Sequence, residues 1–199
     1  MTEQDPTDPR PPELAAAQAG HVGPLYDVVR ELEAHASASG WDQTERIFAL
    51  ADTAELVTRE PELAASLGLD GAALAGTFTP IEQDALGEGL SLEDVLAQIG
   101  WPEEVAGVAV IAERLVLPPD ADGQVPEEPA AAVEFAANHP DRQEVRIVAA
   151  ALRGGDSACA LRLRSHDADE LVLTGPDLVP SLLTQLHATL DLEEPAADE

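Results

Sequence analysis

Two apolar runs of equal length, Glu144 to Leu152 and Ser157 to Ser165, meet across Arg153-Gly-Gly-Asp156. Side chains alternate along a strand, so Val145, Ile147, Ala149 and Ala151 share one face of the first run, and Cys159, Leu161 and Leu163 share one face of the second. The pattern predicts an antiparallel hairpin. Its register follows from parity: the two apolar sets coincide only if paired residue numbers sum to an even value such as 308 or 310. A symmetric two-residue Gly-Gly turn gives 309 and would set Ile147 against Arg162. A one-residue slip exchanges the faces, so the apolar pattern should prevail. The expectation is a three-residue loop or bulge with Gly154 or Gly155 at positive φ.

The other face of this ribbon then carries Arg146, Arg162 and Arg164 together. Composition makes the gathering unusual. The chain has 199 residues, 39 acids and 10 arginines, with no lysine and a net charge of −29. Five of the arginines (Arg142, Arg146, Arg153, Arg162, Arg164) lie between 142 and 164, so residues 141–166 carry +2 and the remainder −31. Like charges directly opposite one another destabilise a sheet, so something negative is expected over them. At the open end of the hairpin, His139, Asp141 and Arg142 lie near Ser165, His166 and Asp167. The candidate anion- or partner-binding residues are therefore Arg142, Arg146, Arg162, Arg164, His139 and His166. Three readings stand. The arginines are neutralised internally by acids such as Glu113, Asp169, Glu170 or those of the helices; they form a partner surface; or they line a pocket for a small anion, with His166 as the acid–base group.

The same charge excludes several classes of function. A field this negative repels nucleic acid phosphates and anionic lipid, and favours basic proteins and cations. The absence of lysine removes Schiff-base chemistry and the phosphate-loop lysine. One cysteine, Cys159, excludes an intrachain disulfide and any multi-cysteine metal site, and the alternation points it into the core. The longest apolar run, Val105 to Ala112, is too short to span a bilayer, and no basic start followed by a hydrophobic stretch marks a secretory signal. The expected location is cytoplasmic.

Along the chain, residues 1–12 read as a disordered acidic and proline-rich tail, 13–190 as one domain, and 191–199 as a second acidic tail. A helix is predicted from Pro24, with Leu25, Val28, Val29, Leu32 and Ala36 on one face, ending at Gly40 with Trp41 closing it. Trp101 after Gly100 repeats that arrangement. Arg46 to Ala51 reads as a strand, Asp52 and Thr53 cap a helix restarted at Pro61, and both Thr79-Pro-Ile-Glu82 and Ser91-Leu-Glu-Asp94 read as helix starts. Val105 to Leu117 reads as a central strand, with a helix as the alternative. Residues 118–138 read as a mobile loop with a helical turn at 129–137. A short strand, Leu171 to Leu173, leads into a closing helix with Leu178, Leu182, Leu186 and Leu190 on one face, widened by Val179 and Leu183. The fold class is α+β: an antiparallel sheet with helices packed mainly on one face.

Other constellations carry little. Glu31 and His35 lack a third metal ligand; His166, Asp167, Asp169 and Glu170 lack the spacing of a cation loop; Ser157 has no nucleophile elbow; and no zinc-protease or dinucleotide motif occurs. No metal and no cofactor is expected.

Several runs nevertheless resemble one family: Gly40-Trp-Asp42, Thr79-Pro-Ile-Glu-Gln-Asp84, Arg114-Leu-Val-Leu-Pro-Pro119, His139-Pro-Asp-Arg-Gln-Glu-Val-Arg146, Ala160-Leu-Arg-Leu-Arg-Ser-His-Asp167 and Gly175-Pro-Asp-Leu-Val-Pro180. Together they are similar to an uncharacterised family of acidic actinobacterial proteins, over roughly 24–190. The resemblance implies a cytoplasmic protein and no assigned activity. The expected function is a non-enzymatic protein-interaction domain of adaptor or chaperone-like type, with unpaired strand edges that allow homodimerisation. The alternative is an enzyme or sensor for a phosphate- or carboxylate-bearing ligand at residues 139–167.

Overall fold

The parity argument holds in the computed structural model. It describes residues 22–69, 75–87, 89–126 and 128–192; the expected tail at 1–12 and residues 193–199 lie outside them. β4 (Gln143–Leu152) and β5 (Ser157–Leu163) pair antiparallel with Val145 opposite Leu163 and Arg146 opposite Arg162, a sum of 308. The Leu152 N–H donates to the Asp156 carbonyl and the Gly155 N–H to the Leu152 carbonyl. The loop is thus the three residues Arg153-Gly154-Gly155. Gly155 sits at φ 93°, where a side chain would be strained.

Four more strands complete an open antiparallel sheet: β1 (Arg46–Asp52), β2 (Phe78–Glu82), β3 (Val105–Val116) and β6 (Leu173–Gly175), in the order β2-β1-β3-β4-β5-β6. β3 is the central strand expected from its β-branched run, and it pairs with both β1 and β4. The chain is a single α+β domain.

Both faces of the sheet are apolar, and each is covered. Phe48, Leu50, Ala109, Ile111, Val148, Ala150, Ala158 and Ala160 meet Leu25, Val28, Val29, Leu32 and Ala36 of α1 (Pro24–Ala38). The alanines at 150, 158 and 160 let α1 lie close to the sheet. On the opposite face, Ile47, Val108, Val110, Ile147, Ala149 and Cys159 meet Leu92 and Leu96 of α4 (Leu92–Leu96), Trp101, and Leu183, Leu186 and Leu190 of α6 (Pro180–Asp191). Helices therefore divide between the faces. A strand such as Val108-Ala-Val-Ile-Ala112 is buried on both sides and needs cover on both.

Local signals are read correctly in part. Asp52 caps α2 (Thr53–Arg59), accepting from Ala54 and Glu55 N–H, and α3 (Pro61–Ser66) restarts at Pro61. Ser91 and Asp94 form the expected capping box on α4. Thr79-Pro-Ile-Glu82 is not a helix start but β2, paired with β1 so that Ile81 faces Ala49. Pro80 is tolerated because β2 is an edge strand, where a missing N–H need not break a ladder. Within 118–138 there are a 3-10 turn (Pro119–Gln124) and a full helix, α5 (Pro129–Asn138), capped by Glu128. The short strand expected at Leu171 to Leu173 is β6, which falls two residues later, and α6 buries Leu183, Leu186 and Leu190 while Leu178 stays outside the helix.

Candidate functional site

The hairpin arginines lie under the C-terminal half of α1, at the end of the sheet where β4 begins and β5 ends. Register places Glu113 of β3 opposite Arg146 of β4, and Arg146 opposite Arg162 of β5, all on the α1 face. Two like charges face each other, as parity requires. Carboxylates flank them. Arg146 donates from Nε and Nη2 to Glu113 Oε1 (3.2 and 2.8 Å) and from Nη2 to the Gly40 carbonyl. Arg162 forms a paired contact with Glu33 of α1 (Nε–Oε1 2.6 Å, Nη2–Oε2 2.9 Å) and reaches Asp167 (3.1 Å) and Asp169 (2.7 Å). Arg146 and Arg162 are only 1% and 2% exposed, and Glu33 5%. The hydrogen bonds it donates to Glu33 hold the Arg162 guanidinium even more firmly protonated than usual.

Trp41 organises the outer layer. Gly40, at φ 85°, ends α1 and turns the chain so that the indole lies 4.4 Å from the Arg146 guanidinium and 5.5 Å from that of Arg164. The indole N–H donates to Asp167 Oδ2 at 2.9 Å, and this bond, with help from Arg162, pulls the Asp167 carboxyl below its ordinary range. Asp42 takes a left-handed backbone (φ 64°), which aspartate tolerates better than most residues. From there its N–H donates to Glu113 Oε2 at 2.8 Å and its carboxylate accepts from Arg164 at 2.8 and 3.0 Å. The Arg164 bonds lower the Asp42 pKa, and Arg164 also pairs with Glu144.

The structure thus brings Arg146, Arg162 and Arg164 together as the sequence predicts. It does not join the other three candidates to them. His166 is exposed and shares a 2.9 Å hydrogen bond with Ser165; His139 packs on Phe135 (ring centroids 5.5 Å apart) and its Nδ1 accepts the Asp141 N–H; Arg142 is exposed, with a long contact to the His139 carbonyl. Arg142 shares a shallow hollow with Asp42, Glu113 and Glu144. The guanidinium donors of Arg146 and Arg162 point at carboxylates of the chain itself and are closed to solvent.

The opposite end, around the hairpin loop, is built differently. Arg153 turns away from its neighbour Asp156 and donates to backbone carbonyls: Val105 (2.8 Å), Trp101 (2.7 Å), Pro102 (2.9 Å) and Leu190 in the last turn of α6. Trp101 donates to Thr189 of α6, tying the same region from the core side. Beside the loop lies a cleft of about 940 Å³ between the start of α1, the start of β2, the loop and α6. Tyr26, Phe78, Leu152 and Leu183 supply apolar wall, and Asp156 and Asp177 line it as well. Ser157 and His187 meet in the cleft lining, Oγ to Nε2 at 2.9 Å. Sequence reasoning missed this pair. Ser157 opens β5 and His187 lies in α6, and no short spacing links them. Cys159 is buried nearby, and burial pushes its thiol pKa up.

Among the described residues no group of three metal-ligating side chains occurs, and no helix is long and apolar enough to cross a membrane. The PPA1309-like protein family matches residues 25–191. No curated protein and no solved structure matches the chain.

Proposed function

We propose that this chain, which belongs to the PPA1309-like protein family, is a non-enzymatic protein-binding domain whose partner presents a basic surface. One observation carries the reading: every described arginine is engaged within the chain. Arg30 pairs with Asp27, Arg59 with Glu104 and Arg114 with Glu45 and Glu93; Arg46 bonds Gln43, and the hairpin arginines are held as above. Cations are drawn inward or onto neighbouring acids and side-chain amides, and most carboxylates of the described residues are exposed in a chain of net charge −29. Such a surface attracts basic protein and repels phosphate backbones and anionic lipid.

An actinobacterial source, a cytoplasmic location and a second copy paired through an open strand edge belong to the same proposal. β6 is the better edge for such pairing, because β2 carries Pro80.

The test is affinity purification of the full chain from its native cytoplasm, followed by titration of the purified partner over a salt series. The expected result is a stoichiometric partner with a basic face whose affinity falls steadily as salt rises. A partner with an acidic face, or an affinity indifferent to salt, overturns the reading.

A further inference from the structure

The cleft beside the hairpin loop contrasts with the rest of the surface in one respect. Elsewhere along the hairpin, acids and arginines sit together. Here Arg153 is held by backbone carbonyls, Arg30 lies over the Tyr26 ring and pairs with Asp27, and the Asp156 and Asp177 side chains have no ion-pair or hydrogen-bond partner among the described residues. Between these carboxylates and α1 lies wall that is apolar and aromatic: Tyr26, Phe78, Leu152 and Leu183. The Ser157–His187 pair adds a polar point on the same lining. Its volume, about 940 Å³, lies at the upper end of the range for ligand sites, enough for several side chains at once.

Resting on the protein-binding reading above, we infer that this cleft is where the partner docks, and that its occupant is a peptide segment with apolar side chains flanked by arginine or lysine. The apolar residues enter between Tyr26, Phe78 and Leu183. The basic residues meet Asp156 and Asp177, which carry the complementary charge and lack a cation of their own. A segment lacking either feature leaves half of the cleft unsatisfied: a purely basic one wets the apolar wall, and an acidic one faces two uncompensated aspartates within a strongly negative field.

The experiment titrates the isotope-labelled full chain with two amidated hexapeptides, one alternating leucine with arginine and one alternating serine with arginine, followed by NMR and calorimetry. The leucine peptide is expected to shift the resonances of Tyr26, Phe78, Ser157 and His187, and to bind about tenfold more tightly than the serine peptide. Thr184→Trp, which fills the cleft from the exposed side of α6, should abolish that preference. Asp156→Asn and Asp177→Asn, both at exposed positions, should each weaken the leucine peptide about threefold. A thermal melt of each variant separates loss of binding from loss of fold. Equal binding of the two peptides, shifts confined to other surfaces, or full binding by Thr184→Trp overturns the docking site. The basic-partner reading fails separately, through the salt series, and survives if the purified partner binds Thr184→Trp with its salt dependence intact.

Discussion

The two ends of the hairpin pose opposite solutions to burying charge in an acidic chain. At the open end, Arg146 and Arg162 are forced face to face by the register, and three separate segments supply the four carboxylates that make this tolerable: Glu33 from α1, Glu113 from β3, and Asp167 and Asp169 after β5. At the loop end, Arg153 binds carbonyls and the local aspartates are left to solvent and the cleft. One end is a closed network in which a missing member strands a buried charge. The other has carboxylates whose removal strands nothing. The difference shows that the charge segregation seen in the sequence marks a structural tie at one end, and it is at the other end that the docking proposal places the partner.

Substitution at the closed end should have the largest effect. Arg162→Met leaves Glu33 buried without a cation, and unfolding by urea should show a loss of about 3–5 kcal/mol. The double substitution Glu33→Leu with Arg162→Met should recover most of it, because an apolar pair of similar volume avoids the desolvation of both ions. If the single and double variants are equally destabilised, the cost lies in packing and the stranded-charge account fails.

Arg153→Met tests the loop end in the same assay. It removes donors to carbonyls of Trp101, Pro102, Val105 and Leu190, of which some remain open to water, so the expected loss is smaller, about 2 kcal/mol. A loss matching that of Arg162→Met would erase the distinction between the two ends.

Trp41→Leu separates the outer layer of the network from its core. The leucine keeps an apolar closure for α1 but loses the ring face beneath Arg146 and the N–H to Asp167, for an expected cost of about 1–2 kcal/mol. Acid probes the same layer. Asp42 and Asp167 have pKa values lowered in the folded chain, by the Arg164 and Trp41 hydrogen bonds respectively. Their contribution is therefore fully present above the unfolded aspartate value of about 3.9 and is lost as pH falls through the lower folded values. Melting temperature should drop below about pH 4 in the wild type, and less steeply in Trp41→Leu, where the bond that lowers Asp167 is absent.

How much of this was legible in advance varies with the range of the interaction. Parity within one hairpin determined the register, the three-residue loop and Gly155 at positive φ, because two adjacent strands share a single alternation. The cluster of Arg146, Arg162 and Arg164 followed from the same count. Its internal neutralisation was partly readable: Glu113 and Asp169 were among the acids expected over it, and Glu33 carried a signal of its own, since an acid four residues after Val29 and three before Ala36 sits in the buried stripe of α1. Thr79-Pro-Ile-Glu82 misled because its capping signature is local, whereas pairing of Ile81 and Thr79 with β1 is tertiary and prevails. The cleft was not legible at all. It is assembled from the start of α1, the start of β2, the hairpin loop and α6, and no spacing within any one of them foretells the meeting of Ser157 with His187.

The smallest effect is also the sharpest contrast. Asp156→Asn and Asp177→Asn remove carboxylates with no described partner, so neither should cost more than about 0.5 kcal/mol. The sign is informative as well. A chain of −29 repels itself in the folded state, and removing one exposed negative charge relieves a little of that repulsion, as added salt does. Both variants should therefore melt at or slightly above the wild-type temperature at low salt, with the gain shrinking as salt is added. Asp167→Asn at the other end, which gives up the charge-assisted bond to Arg162, should melt below wild type at every salt concentration. If Asp156→Asn melts as low as Asp167→Asn, that aspartate is a structural partner after all, and the loop end of the sheet is closed in the same way as the arginine end.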